Sequence, residues 1–398
     1  MEALRGLSLV PFSGHDRVET SAAWLTLVEQ ALPSICGEGA RLSVIVAFDA
    51  QGVAAAIPAV RTEALAEARP FPMDVEDLFF GLWTRHVGDR DRNLERRAMA
   101  ARLFSRGMRC LNRSLGRGLV LHTPLAPASD ALVARRLSAS AAAAAVRAAL
   151  GRARAIAAEE DRCALLPRLV QRDAGIWVDA LVGEGYIRAS TYPSAELLLG
   201  DALPARMRQM IRRNARLVER AEVTVEVTQA APEDMPFGAL FAETASRHND
   251  PAPRLSDGLF RAIGKQFEAN VWFLSARRGK RLVGFVVAFA RGVAWEAWKC
   301  GIHRAEAARA PVYLDLVYGK LPALAAREGG TRIELGAGQI GLKRRYGARV
   351  CEMEAYIALP PRFVGGGLFS LYVKSVGKGI ARVEGVMDQV ESVATTPK

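Results

Sequence analysis

The stretch "ELGAGQIGLKRRYGARV", residues 334–350, holds a literal G-x-G-x-x-G made by Gly336, Gly338 and Gly341. An apolar run, "RIELGA", leads into it and a basic turn follows. A dinucleotide-binding fingerprint needs a strand, the glycine turn, a long helix, a second parallel strand and an acid about 20 residues on. Here only eight residues separate Gly341 from the next strand at Val350. A parallel crossover needs about a dozen or more, so the intervening element is one or two helical turns. The Rossmann reading is excluded. Gly341-Leu342-Lys343 also lacks the spacing and the Ser/Thr of a Walker loop. What is left is a strand ending on small residues, then Lys343, Arg344 and Arg345. Gly336 and Gly338 permit close backbone approach or left-handed dihedrals.

Working outward, the C-terminal half reads clearly. "APVYLDLVYGKLPALAAREGG" is a helix with Pro311 in its first turn and Gly329 at its end. Before it, "NVWFLSARR", "RLVGFVVAFARG" and "VAWEAWKCGIH" alternate and are separated by Arg278-Gly279-Lys280 and Arg291-Gly292, which predicts an antiparallel meander. "ALPARMRQMIRRNARLVERAE" (202–222) is a helix with Pro204 near its start, where proline is tolerated. "PEDMPFGALFAETASRHND" (232–250) is expected to be a helix with acids in its first turn. "IWVDALVGEGYIRA" is a helix closing at Gly185 and then a strand, and "VCEMEAYIAL" is the last strand. In the N-terminal half, residues 41–64 form two strands around Asp49-Ala50-Gln51-Gly52, and "LVLHTP" (119–124) is a strand. The alanine-rich block at 137–158 is helical, and Arg-rich helices are expected up to about 115. The pattern is α+β, and no residue-level repeat is readable.

At 398 residues the chain exceeds what one core usually serves. No run of about 18 uncharged apolar residues occurs, so no membrane span is expected. Five cysteines, odd in number and without C-x-x-C spacing, argue against a disulfide framework or a metal site and for a reducing cytoplasm. The net charge of +12, with arginine in excess of lysine, suits phosphate-bearing partners or is simply a solvated arginine-rich surface.

The order of elements (meander, helix, strand ending in G-x-G, Lys343, Tyr346-Gly347, strand) resembles the FemAB-like and BioF2-like N-acyltransferases of the GNAT superfamily. Gly185-Tyr186, "MRQMIRRNARLVERA" and the meander with its following helix resemble that family's corresponding stretches. The resemblance covers about 155–360 well and 40–130 only as a strand pattern. It implies two GNAT-like mixed-sheet domains, a degenerate one over 1–170 and an acyltransferase domain over 171–362, followed by a tail over 363–398 that can form an amphipathic helix. "RAEAARAP" stands where the family carries its pyrophosphate loop. The resemblance further implies an activated acyl donor as cosubstrate, acyl-CoA first and aminoacyl-tRNA close behind. It implies an amine as acceptor and no permanently bound cofactor.

Amide formation needs alignment, a route for the amine proton and oxyanion stabilisation. Glu296, on the third meander strand among Trp295, Trp298 and Phe289, and Asp315, on the following helix, are the candidate bases; desolvation would raise either carboxyl toward neutrality. Lys343 is a partner for Glu296, in the site or as a structural pair. Tyr346 or Tyr318 can protonate the leaving group. Arg304 and Arg309, ahead of the helix that starts at Ala310-Pro311, together with Gly336, Gly338 and Tyr318, are candidates to hold the donor. Arg208, Arg212, Arg216 and Arg220 form one i, i+4 stripe fit to track phosphates or to solvate an amphipathic helix. The rival reading is a non-catalytic, basic nucleic-acid-binding protein on a decayed transferase fold.

Overall fold

The computed structural model describes residues 9–12, 21–36, 39–62, 117–126, 128–200, 204–247, 255–307, 309–337 and 339–371. The expected Arg-rich helices before residue 116, and most of the C-terminal tail, lie outside them. The chain forms two compact units, Met1–Tyr192 with Glu352–Lys398, and Pro193–Cys351.

In the first unit the hairpin β2 (Arg41–Asp49) and β3 (Gly52–Thr62) turns where the sequence places Asp49 and Gly52. β3 also pairs antiparallel with β4 (Gly118–Val120) and β5 (Leu132–Ala134), and β5 pairs with β1 (Leu9–Pro11). Helix α1 is Ala22–Cys36, and α2 is the alanine block, Ala139–Glu159, capped by Ser138 Oγ accepting from Ala141 N. Ala142, Val146, Ala149, Leu150, Ala153 and Ala157 make its buried stripe. Their small side chains let the helix lie close on the core formed with Ile45, Ile57, Leu119 and Leu166. The crossover through α2 returns to β6 (Cys163–Val170), parallel to β4 over three residue pairs. Helix α3 (Gln171–Gly183) follows, with Gly185 beyond it at φ +76°. β6 pairs on its other edge with β13 (Arg349–Ala358) through Met353 to Ala358.

The expected strand at 119–124 ends early. Leu121 to Pro124 are buried but turn inward, with His122 N bonded back to Val120 O at 3.0 Å. Burial produced the apolar pattern there, not extension.

The second unit is entered along β7 (Ile187–Leu198). Helix α4 (Ala205–Arg220) has Pro204 at its start, as its cap residue. β8 is Thr224–Thr228, and α5 spans only Phe237–Arg247, so Glu233 and Asp234 precede the helix. Pro236 explains the later start, because a proline disfavours helical dihedrals in the residue before it. After α6 (Asp257–Gln266), strands β9 (Val271–Arg278), β10 (Arg281–Arg291) and β11 (Ala294–Ile302) form the antiparallel meander. Phe237 sits 4.9–5.6 Å from Phe260, Phe273 and Phe285, fixing α5 and α6 on one face of it. Each such ring pair contributes roughly 0.5–1.5 kcal/mol beyond its buried area.

A short α7 (Arg304–Ala307) leads to α8 (Val312–Asp315), a π-helical turn at Leu316–Lys320 and α9 (Leu321–Arg327). β12 (Arg332–Ala337) comes back parallel to β11, and α10 (Ile340–Arg345) is the short element expected after the glycines. Among the described residues no helix is long and apolar enough to cross a membrane.

Candidate active site

The meander delivers Glu296 to a place where the sheet opens. β11 and β12 pair only through Ala294–Arg332, Trp295–Ile333 and Glu296–Glu334. From there β11 continues along β10 to Ile302, whereas β12 bulges between Glu334 and Gly336 and continues along β7 at Ala195 and Ser194. The parallel pair therefore parts immediately beyond Glu296, which is buried at 9% exposure and opposite Phe289. In-register neighbours on adjacent strands share a face, so Glu296, Glu334 and Glu196 line one row across β11, β12 and β7.

Gly336 adopts φ +68° at the bulge, a left-handed conformation that favours glycine. Gly338 is outside the described residues. Lys343, carried by α10, is buried and donates from Nζ to the carbonyls of Leu335, Gly336 and Ala337 at 2.7, 2.8 and 3.0 Å. An ammonium group has three hydrogens, and the end of β12 takes all of them. Lys343 is thereby a tether for the diverging strand, a use its sequence position did not reveal.

A groove of about 400 Å³ lies in the same unit, lined by Met210, Arg213, Asn214 and Leu217 of α4, by Arg309, Ala310 and Pro311, and by Tyr346. Asn214 Nδ2 donates to the Tyr346 hydroxyl at 2.8 Å, and the Tyr346 ring stacks on Tyr318 at 4.3 Å. Tyr313 meets Tyr318 edge-on at 6.3 Å. Burial pushes the hydroxyls of Tyr313 and Tyr318 well above the usual tyrosine range, so both are neutral at physiological pH. Asn214 was missed from sequence, although a polar residue inside the stripe Met210, Ile211, Val218 was the available signal.

Asp315 is buried at 2% exposure, and neither carboxylate oxygen meets a hydrogen-bond donor among the described residues. Burial raises its pKa, opposed by the charge of Lys320. Arg304 and Arg309 are exposed. The Arg304 backbone N–H donates to Glu243 Oε1 at 2.6 Å, and Arg309 also stands 3.9 Å from Glu306. Arg208, Arg212, Arg216 and Arg220 are exposed along α4, beside the groove residue Arg213. The structure thus brings Arg309 and Tyr346 to one groove, stacks Tyr318 behind Tyr346, and places Glu296 at the strand opening.

Residues 205–344 match the family model described as Acetyltransferase (GNAT) domain. The chain carries a GNAT-superfamily domain. Among solved structures it is similar to FemX, at 9% identity over 91% of this chain and 96% of that one, with a TM-score of 0.51. That likeness spans both units and is one of fold. It also aligns with L-PGS from Bacillus licheniformis (12% identity, 91% and 99% coverage, TM-score 0.47). A tandem GNAT protein from the clavulanic acid biosynthesis pathway aligns at 14% identity, 89% and 98% coverage and a TM-score of 0.41. No curated protein matches the sequence.

Proposed function

We propose that the protein is an N-acyltransferase that joins an activated acyl group to an amine in its second unit. The observation that carries this reading is the parting of β11 and β12 directly beyond Glu296, within a GNAT domain. A parted strand pair leaves backbone N–H groups without ladder partners, and such groups can receive the donor's carbonyl oxygen as charge builds on it. The amine nitrogen attacks the carbonyl carbon and its proton passes to Glu296. The bond to the leaving sulfur or ribose oxygen breaks, and the leaving group takes a proton from Tyr346. That hydroxyl accepts its bond from Asn214, so its own hydrogen is available to the groove. Phosphates of the donor would lie against Arg213 and Arg309.

Acyl-CoA is the preferred donor. Aminoacyl-tRNA is the second, favoured by the exposed arginines of α4, which suit a longer polyanion. The test is a mass-spectrometric screen of amine acceptors with acetyl-CoA or charged tRNA, with and without ribonuclease. Transfer that survives ribonuclease supports the thioester donor, and transfer abolished by it supports the tRNA donor. No transfer from either, with salt-dependent and sequence-indifferent RNA binding, would replace the enzyme with a binding protein.

A further inference from the structure

Asp315 stands apart from the chemistry above. A buried carboxylate without a partner is costly whether it keeps its charge or takes a proton, since either form leaves polar atoms unsatisfied. Its chain neighbours lead to the groove. The backbone N–H of Asp315 bonds to the carbonyl of Pro311 at 3.0 Å, and Pro311 lines the groove. A methyl group placed on Gly319 would stand 3.1 Å from Asp315 Oδ1 and 3.7 Å from Ile211 Cγ2. Ile211 lies on α4 next to Met210 and one turn from Asn214, both groove residues. The carboxyl therefore lies beside Gly319 of the π-helical turn, on the side where Ile211 of α4 packs, next to the groove lining rather than in it. With glycine at 319 no side chain crowds the carboxyl from that side, and π-turns of this kind recur at functional positions.

We propose that Asp315 receives a primary ammonium group of the molecule bound in the groove between α4 and α8. A cation with N–H donors satisfies both oxygens at once. The ammonium belongs either to an acceptor carrying a second amine or to an aminoacyl donor. The inference rests on this groove being the ligand site, not on transfer taking place.

The test uses the full chain and three probes, butylamine, butanol and glycinamide, with dissociation constants from calorimetry. The expected result is that an amine binds about tenfold or more tighter than butanol. Asp315→Asn should remove that preference while leaving butanol binding unchanged. Tight butylamine binding points to a diamine acceptor, and preference for glycinamide points to an aminoacyl donor. Gly319→Ala keeps the charge but fills the adjoining space, so it should weaken amine binding with an unchanged circular dichroism spectrum; it serves as the second variant should Asp315→Asn not fold. Equal binding of amine and alcohol by the wild-type protein, or amine binding untouched in both variants, overturns the proposal. Acyl transfer that ignores both substitutions would remove this inference and leave the transferase standing; amine binding without transfer would do the reverse.

Discussion

Among the described residues each unit has a three-residue parallel strand pair closed by a helical crossover, and the two pairs end differently. In the first unit β4 and β6 pair through Gly118–Cys163, Leu119–Ala164 and Val120–Leu165. Beyond them the chain itself fills the space. Leu121 N bonds to Leu165 O at 2.7 Å, Ser129 N to Arg168 O at 2.5 Å, and every described residue from 121 to 131 is buried. His122 holds that plug together, with Nδ1 3.0 Å from Ser129 Oγ and Nε2 3.1 Å from Ala126 O. In the second unit β11 and β12 part at the same stage, but the end of β12 is satisfied by one lysine side chain rather than by a returning loop. A side chain answers the same carbonyl groups with far fewer atoms. Similar strand pairs thus end in one unit on a packed loop and in the other on a single side chain.

The largest expected effect belongs to the second unit. Glu296→Gln should lower turnover about 10²–10⁴-fold, the usual contribution of a positioned base, with the melting temperature held. An unchanged rate in the transfer assay would take Glu296 out of the site. The first unit should respond in the opposite sense. His122→Ala removes two buried hydrogen-bond contacts and leaves a cavity, so denaturant titration should show a loss of about 2–3 kcal/mol with activity per folded molecule intact. A loss of activity without a loss of stability would mean that the plug is a working part.

The smallest effect is a gain. The pKa of Asp315 is raised in the folded protein, so the folded state binds its proton more tightly than the unfolded one, and stability falls as pH rises above the ordinary carboxylate range. Asp315→Asn should therefore stabilise the protein by about 1–2 kcal/mol at neutral pH. The gain should fade as the pH falls to the range where free carboxylates protonate. Thermal melts of both proteins across pH would show it, and a gain independent of pH would mean that the charge is not its source.

The features legible in the sequence were those set by local chemistry. The eight residues after Gly341 ruled out a long crossover, and α10 is the short element that spacing required. Glycines and arginines between alternating runs marked the meander, and alanine content marked α2. Partnerships across the chain were illegible. Asn214 finds Tyr346 132 residues away, and the carbonyls that Lys343 tethers lie at the bulged end of β12. The run at 119–124 reads as a strand throughout, whereas β4 stops at Val120, because a plug and a buried strand have the same apolar composition. The missing partners of Asp315 are a property of three-dimensional surroundings, and residue type alone does not report them.

Lys343 has one more consequence. A protein that manipulates reactive acyl groups exposes its own amines to them, and an amine reacts only through its lone pair. Held as an ammonium ion by three carbonyl oxygens, this lysine has no lone pair to offer. The amine that shapes the opening is thereby turned onto the backbone it holds.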